Sequence, residues 1–102
     1  MKLRITPVIY SILFMCLANP VHAGDAAAGK AKSATCSGCH GADGIGTNDQ
    51  NPNLAGQKEA YLVKATKAYR DGTRSDPMMG AMLKALSDTD IENISAFYSS
   101  LK

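Results

Sequence analysis

The chain is poor in the side chains that most often do chemistry. Its 102 residues include two histidines, three cysteines and no tryptophan. Formal charge is nearly balanced, 11 Lys+Arg against 9 Asp+Glu. No basic field is available to hold a polyanion, so nucleic-acid binding is not expected. No strand-like alternation runs through the sequence, and it has neither internal repeats nor low-complexity tracts. The one long apolar stretch, Ile5 to Leu17, is interrupted by Thr6, Pro7 and Ser11. It falls short of the ~20 residues that a membrane span needs.

That stretch reads as the core of an export leader. Met1-Lys2-Leu3-Arg4 supplies the positive start, Asn19-Pro20 a break, and Val21-His22-Ala23 a small residue at the exit. Cleavage after Ala23 is expected, with residues 1–23 a Sec-type signal peptide, 24–102 one small domain, and the periplasm its destination. Cys16 lies within the apolar run behind Phe14 and Met15 and reads as leader filler. An uncleaved anchor is the alternative.

Cleavage deepens the scarcities. Cys16 and His22 depart, leaving Cys36, Cys39 and His40 as the only cysteines and histidine of the mature part. Residues 24–102 carry seven Lys and two Arg against seven Asp and two Glu, so 9 − 9 gives zero. A zinc site of the usual four ligands lacks donors. A disulfide to a third cysteine is excluded, and a Ser–His hydrolase arrangement would have to use His40 itself. A thioredoxin-like dithiol expects a βαβ context that is absent here.

The three residues that remain form one motif, Cys36-Ser37-Gly38-Cys39-His40. C-x-x-C-H is the spacing used to attach a c-type haem. Two thiols three residues apart on a helical turn can each form a thioether to the same porphyrin, and the following imidazole falls beneath the iron. One covalent haem c is therefore expected. A covalently held, largely apolar macrocycle would also staple a domain too small to be comfortable on its own core.

The rest of the chain reads as helices around that ring. Asp25 is a good N-cap for a first helix over roughly 26–39, with Gly29 a poor helix former inside it. Gly41 to Gln57 is a long loop rich in Gly, Asn and Pro, of the kind that needs something to wrap around. Lys58 to Arg70 has Tyr61, Leu62, Ala65, Ala68 and Tyr69 on one face, and Gly72 suits a left-handed cap. Ser75-Asp76-Pro77 reads as a turn, followed by a short helix over Ala81 to Ala85. Ser87-Asp88-Thr89-Asp90 resembles a capping box, opening a last helix over 88–101 with Ile91, Ile94, Phe97, Tyr98 and Leu101 as its buried stripe. The fold class is all-α: three main helices plus a short one.

Haem iron takes two axial ligands beyond the ring nitrogens. With His40 as one, no second histidine is left in residues 24–102. The strongest remaining candidate is a thioether from Met78, Met79 or Met82, which favours ferrous iron and raises the reduction potential. Lysine and water are weaker alternatives. His40 binding iron through Nε2 would need an acceptor for its Nδ1–H, and a carbonyl of the 41–57 loop can supply one.

Several further segments carry a family resemblance. They are Gly24-Asp25-Ala26-Ala27-Ala28-Gly29-Lys30, the Cys36–Gly41 stretch, Pro52-Asn53-Leu54-Ala55-Gly56-Gln57, Tyr69-Arg70-Asp71-Gly72-Thr73-Arg74, and Leu86-Ser87-Asp88-Thr89-Asp90-Ile91. Together with the haem motif they resemble a small class I cytochrome c, similar to the bacterial periplasmic c-four and c-five types. The resemblance implies a cytochrome c-like fold and specific roles. Pro52 matches the proline whose carbonyl accepts from the proximal imidazole, Leu54 a residue packed on the haem, and Met79 the axial methionine, with Met78 and Met82 as neighbours. Gly29 matches the crossing of the first and last helices, against Phe97 or Tyr98. Arg74, and after it Arg70, matches a partner for a haem propionate. Many c-four relatives carry two such domains, whereas one haem motif occurs here.

The function implied is that of a one-electron carrier, not an enzyme. Its partners would be redox-protein donors and acceptors, including a membrane respiratory complex, and the chain would be a monomer. The alternatives are a haem subunit docked to a dehydrogenase or terminal oxidase, and a gas-binding haem protein in which the methionine leaves the iron.

Overall fold

The computed structural model describes residues 2, 3 and 24–102. The expected leader cleavage falls outside these, apart from its first described neighbour, Gly24. Among the described residues there are five helices and no strand: α1 Ala26–Lys32, α2 Ala34–His40, α3 Glu59–Asp71, α4 Pro77–Leu83 and α5 Asp88–Ser100. The all-α expectation holds. No described helix is long and apolar enough to cross a membrane.

Asp25 caps α1, its Oδ1 accepting from the N–H groups of Ala27 at 2.9 Å and Ala28 at 3.2 Å. The single first helix expected over 26–39 is instead two, broken at Ser33. The Ser33 hydroxyl and its own N–H both donate to the Lys30 carbonyl, at 2.8 and 3.3 Å. A serine that engages nearby carbonyls in this way competes with the helix ladder. The Ser33 carbonyl then accepts from Cys36 and Ser37 and starts α2 afresh. The break lets α1 lie on α5 while α2 turns the cysteines elsewhere.

α1 packs more extensively on α5 than on any other helix. Gly29 is buried at their crossing, where an added Cβ would collide with the Asn93 carbonyl. The nearest backbone at the crossing is that of Asn93 and Ile94. Phe97 and Tyr98, expected to meet Gly29, lie about one turn further along α5, in a cluster against which Ala26 of α1 also packs.

α5 behaves as its stripe foretells. Ile91, Ile94, Phe97 and Tyr98 are buried, and Leu101 sits just past the helix as its cap. The capping box forms in both directions: the Asp90 N–H donates to Ser87 Oγ at 3.1 Å, and the Ser87 N–H to Asp90 Oδ2 at 3.2 Å. Leu62 of α3 joins Ile94, Phe97 and Tyr98 in the core cluster, with Ala26, Cys36, Leu54, Leu86 and Leu101 packed around it.

α4 begins earlier than the expected 81–85. Asp76 Oδ1 accepts from both Met78 and Met79 N–H at 3.0 Å, and Pro77 occupies the first helical position. Pro there has no donor to lose and a φ already suited to the helix. Asp76-Pro77 is thus a helix start rather than a turn, and it places the methionines on a helix.

The 41–58 connection is irregular but closed on itself. The Gly44 carbonyl accepts from Leu54 N–H at 2.8 Å and Ala55 N–H at 3.0 Å, and the Gly56 N–H donates to the Tyr98 carbonyl at 3.1 Å. Gly44 has φ +76 and lies against Ala55, so both its backbone and its lack of a Cβ are used.

Candidate functional site

α2, the 44–57 loop, α3, α4 and α5 enclose one cleft of about 610 Å³. Cys36 and Cys39 line it from α2, both half-buried. They share a face because positions three apart on a helix are neighbours. Burial pushes the Cys36 thiol up, the adjacent Cys39 adds to the rise, and a hydrogen bond with Thr35 opposes it.

His40 closes α2 and is 7% exposed. Its Nδ1 lies 2.8 Å from the Pro52 carbonyl oxygen. A carbonyl can only accept, so Nδ1 carries the proton and donates it. In the neutral ring Nε2 is then the nitrogen with a free lone pair, and the ring's orientation is fixed by its partner. The loop holds Pro52 in place through the Gly44 bonds to Leu54 and Ala55. Leu54 itself is half-buried and lines the cleft.

All three methionines of the 78–82 cluster line the same cleft. Met78 and Met82 are 66% and 42% exposed, whereas Met79 is the half-buried one. Asp76 fixes the backbone of both Met78 and Met79. Arg74 reaches the cleft rim and stacks over Tyr69, its guanidinium carbon 4.4 Å from the ring centroid. Arg70 does not join it. Its guanidinium pairs with Asp71 at 2.9 Å and Asp88 at 2.7 Å and donates to the Leu86 carbonyl at 3.2 Å. Arg70 ties α3 to α5 and is not among the residues that line the cleft.

The α3 stripe serves the cleft more than the core. Tyr61, Leu62, Ala65 and Tyr69 all line it, and of these only Leu62 is fully buried. Leu83, Leu86 and Ile94 complete the apolar lining. Leu86 figured in the sequence only as a landmark beside the capping box. An apolar residue immediately before a capping box is a hydrophobic-staple signal that would have found it. Tyr98 is 1% exposed, its hydroxyl has no hydrogen-bond partner, and burial pushes it up to about 12, with Cys36 adding and Ser33 opposing.

These residues fit a covalent haem c. The thiols sit side by side on an apolar cleft, the imidazole presents an unprotonated nitrogen, and thioethers line the same space. Among the described residues no group of three or more His, Cys, Asp and Glu is placed to hold a bare metal ion.

A model of the Cytochrome c family matches residues 26–102. The chain is 52% identical over 81 residues to "Cytochrome c-554(548)" of Halomonas halodenitrificans, covering 76% of this chain and 98% of that one. It is 38% identical over 77 residues to a "Thiosulfate dehydrogenase electron acceptor" of Thiomonas intermedia, covering 74% and 36%. The crystal structure of reduced recombinant cytochrome c4 from Pseudomonas stutzeri superposes with a TM-score of 0.75 at 43% identity, covering 78% of this chain and 47% of that one. The chain thus spans nearly the whole of the first relative and about half or less of the other two.

Proposed function

The chain belongs to the cytochrome c family, and from that premise we propose that it is a one-electron carrier with histidine–methionine ligation, exported to the periplasm. In this reading residues 1–23 are a signal peptide removed after Ala23, and 24–102 form the working domain. A bound haem would supply an Fe(III)/Fe(II) couple. Cys36 and Cys39 would hold it as thioethers, and His40, through Nε2, and Met79, through its sulfur, would be the iron ligands.

The hydrogen bond between His40 and Pro52 carries the proposal. It fixes the proton on Nδ1 and the aim of the imidazole, which leaves Nε2 as the nitrogen that would face an iron. Met79 is preferred over Met78 and Met82 because it is the half-buried one of the three. A thioether stabilises the ferrous state and raises the potential. The apolar walls from Leu62, Leu83, Leu86 and Ile94 act in the same direction by disfavouring added charge. Arg74, at the rim, is the group available to a propionate.

With both axial positions filled, the iron has no site for substrate, and the protein acts as a carrier rather than an enzyme. Electron transfer then needs only a small, short-lived contact with redox-protein partners, a membrane respiratory complex among them. The carrier itself is read as a monomer. The thiosulfate dehydrogenase electron acceptor among the relatives supports a second reading, a haem subunit docked to a dehydrogenase. Stoichiometric co-purification with such an enzyme would favour it.

The test is the visible spectrum of the exported protein. A c-type reduced spectrum and a weak far-red thioether-to-iron band in the oxidised form are expected. Met79→Leu should abolish that band, while Met78→Leu and Met82→Leu keep it. Survival of the band in Met79→Leu would overturn the ligand assignment. Carbon monoxide binding to the reduced wild-type protein at neutral pH would overturn the closed six-coordinate iron.

A further inference from the structure

Gly24 is held at its nitrogen and at its α-carbon. Its N–H donates to Glu59 Oε1, on the first turn of α3, at 2.9 Å. Its Cα lies so close to α5 that an added Cβ would collide with the Glu92 carbonyl. The next N–H, from Asp25, donates to Asn93 Oδ1 at 2.8 Å. The two nitrogens that follow the expected cleavage point are therefore already seated, one on α3 and one on α5.

Hydrolysis of the Ala23–Gly24 peptide bond adds one water across it. The C–N bond breaks, Ala23 leaves as a carboxylate, and the Gly24 nitrogen takes up protons to become an ammonium. A neutral donor with one N–H becomes a cation with three, in the same place. The charged residues nearest in the chain or its contacts are Glu59 on α3, Lys58 just before that helix, Glu92 on α5 and Asp25, whose carboxylate caps α1.

We propose that the Gly24 amine released by removal of the leader is captured by Glu59 as an ion pair, pinning the start of α1 to α3 and α5. The proposal rests on the export reading above, but its contacts are those of the folded domain. It also gives the glycine a reason. The residue after the cut has no Cβ because α5 leaves no room for one, not because a peptidase asks for it. While the leader is attached, Glu59 receives an uncharged amide; removal of the leader turns that contact into a charged one.

The sign of the pH dependence follows from the pair. The ammonium's partner holds its pKa above that of a free chain end, about 7.7–8.0. Its contribution to stability is complete below that range and is lost as pH rises through the folded value.

The experiment uses the exported, haem-loaded protein and its Glu59→Gln variant. Glutamine can still accept a hydrogen bond, so the substitution removes the charge and little else. Mass spectrometry is expected to place the first residue at Gly24. NMR titration of the Gly24 α-protons should give an amine midpoint roughly half a unit above the free value, as befits a partly exposed pair, falling back in Glu59→Gln. In urea at pH 7, Glu59→Gln should raise the unfolding constant about threefold, the same half unit, and the difference should shrink above the amine's midpoint. A chain beginning elsewhere overturns the leader assignment and the ion pair together. A Gly24 start with a midpoint that Glu59→Gln leaves unmoved overturns the ion pair alone, and the electron-carrier reading stands.

Discussion

The Pro52 ring matters less to His40 than the Pro52 carbonyl does. That carbonyl decides which imidazole nitrogen is protonated, and it is in position because two loop N–H groups close on Gly44. Gly29 shows a different single-residue constraint. A methyl there meets backbone, the Asn93 carbonyl, which cannot rotate away as a side chain would. Gly29→Ala should therefore cost about 1–3 kcal/mol, the range for overpacking a close contact, read from urea unfolding. The gain in helix propensity, below about 1 kcal/mol, is too small to offset that. The attachment residues were legible in the sequence because two thiols and an imidazole at fixed spacing have few other uses. The Met79 preference was legible only by likeness to relatives, since three methionines within five residues look alike until burial separates them.

Helix boundaries divide between those written in local chemistry and those set by competition. The α5 start was legible because Ser87 and Asp90 satisfy each other's backbone. Ser87→Ala should cost about 1 kcal/mol in thermal or urea unfolding, the usual worth of a lost N-cap. The break at Ser33 was not legible, because a serine inside an alanine- and lysine-rich run is compatible with a continuous helix. Only the hydroxyl's choice of the Lys30 carbonyl ends it. The early start of α4 was present in Asp76-Pro77, an N-cap followed by a first-position proline, but the pair has the same look as a turn. Asp76→Ala should loosen the first turn of α4, where Met79 sits. The far-red band is expected to weaken, with the haem α-band and the thioether attachment unchanged.

At the scale of the molecule, polar ties join helices that the core cluster only partly holds together. Lys32 pairs with Asp90 at 3.7 Å across α1 and α5, and Arg70 with Asp88 at 2.7 Å across α3 and α5. Hydrogen bonding from Arg70 lowers the Asp71 carboxyl below its usual range, and the Ser87 N–H does the same for Asp90. Both groups add stability above the ordinary carboxylate range and lose it as pH falls through their lowered values. Acid unfolding followed by circular dichroism should therefore flatten in Asp90→Asn, which no longer titrates. The cleft of about 610 Å³ lies against the core cluster of Leu62, Ile94, Phe97 and Tyr98. A domain this small cannot easily stay closed around such a space without its ring. A Cys36→Ala/Cys39→Ala chain, unable to attach haem, is expected to lose most of its far-UV helix signal and to fall quickly to proteases. The two sides of that cleft also come from distant parts of the chain. His40 and Ile94 are 54 positions apart. A ring bonded to α2 and packed against α5 would therefore tie one end of the domain to the other, shortening the loop that the unfolded chain is free to explore.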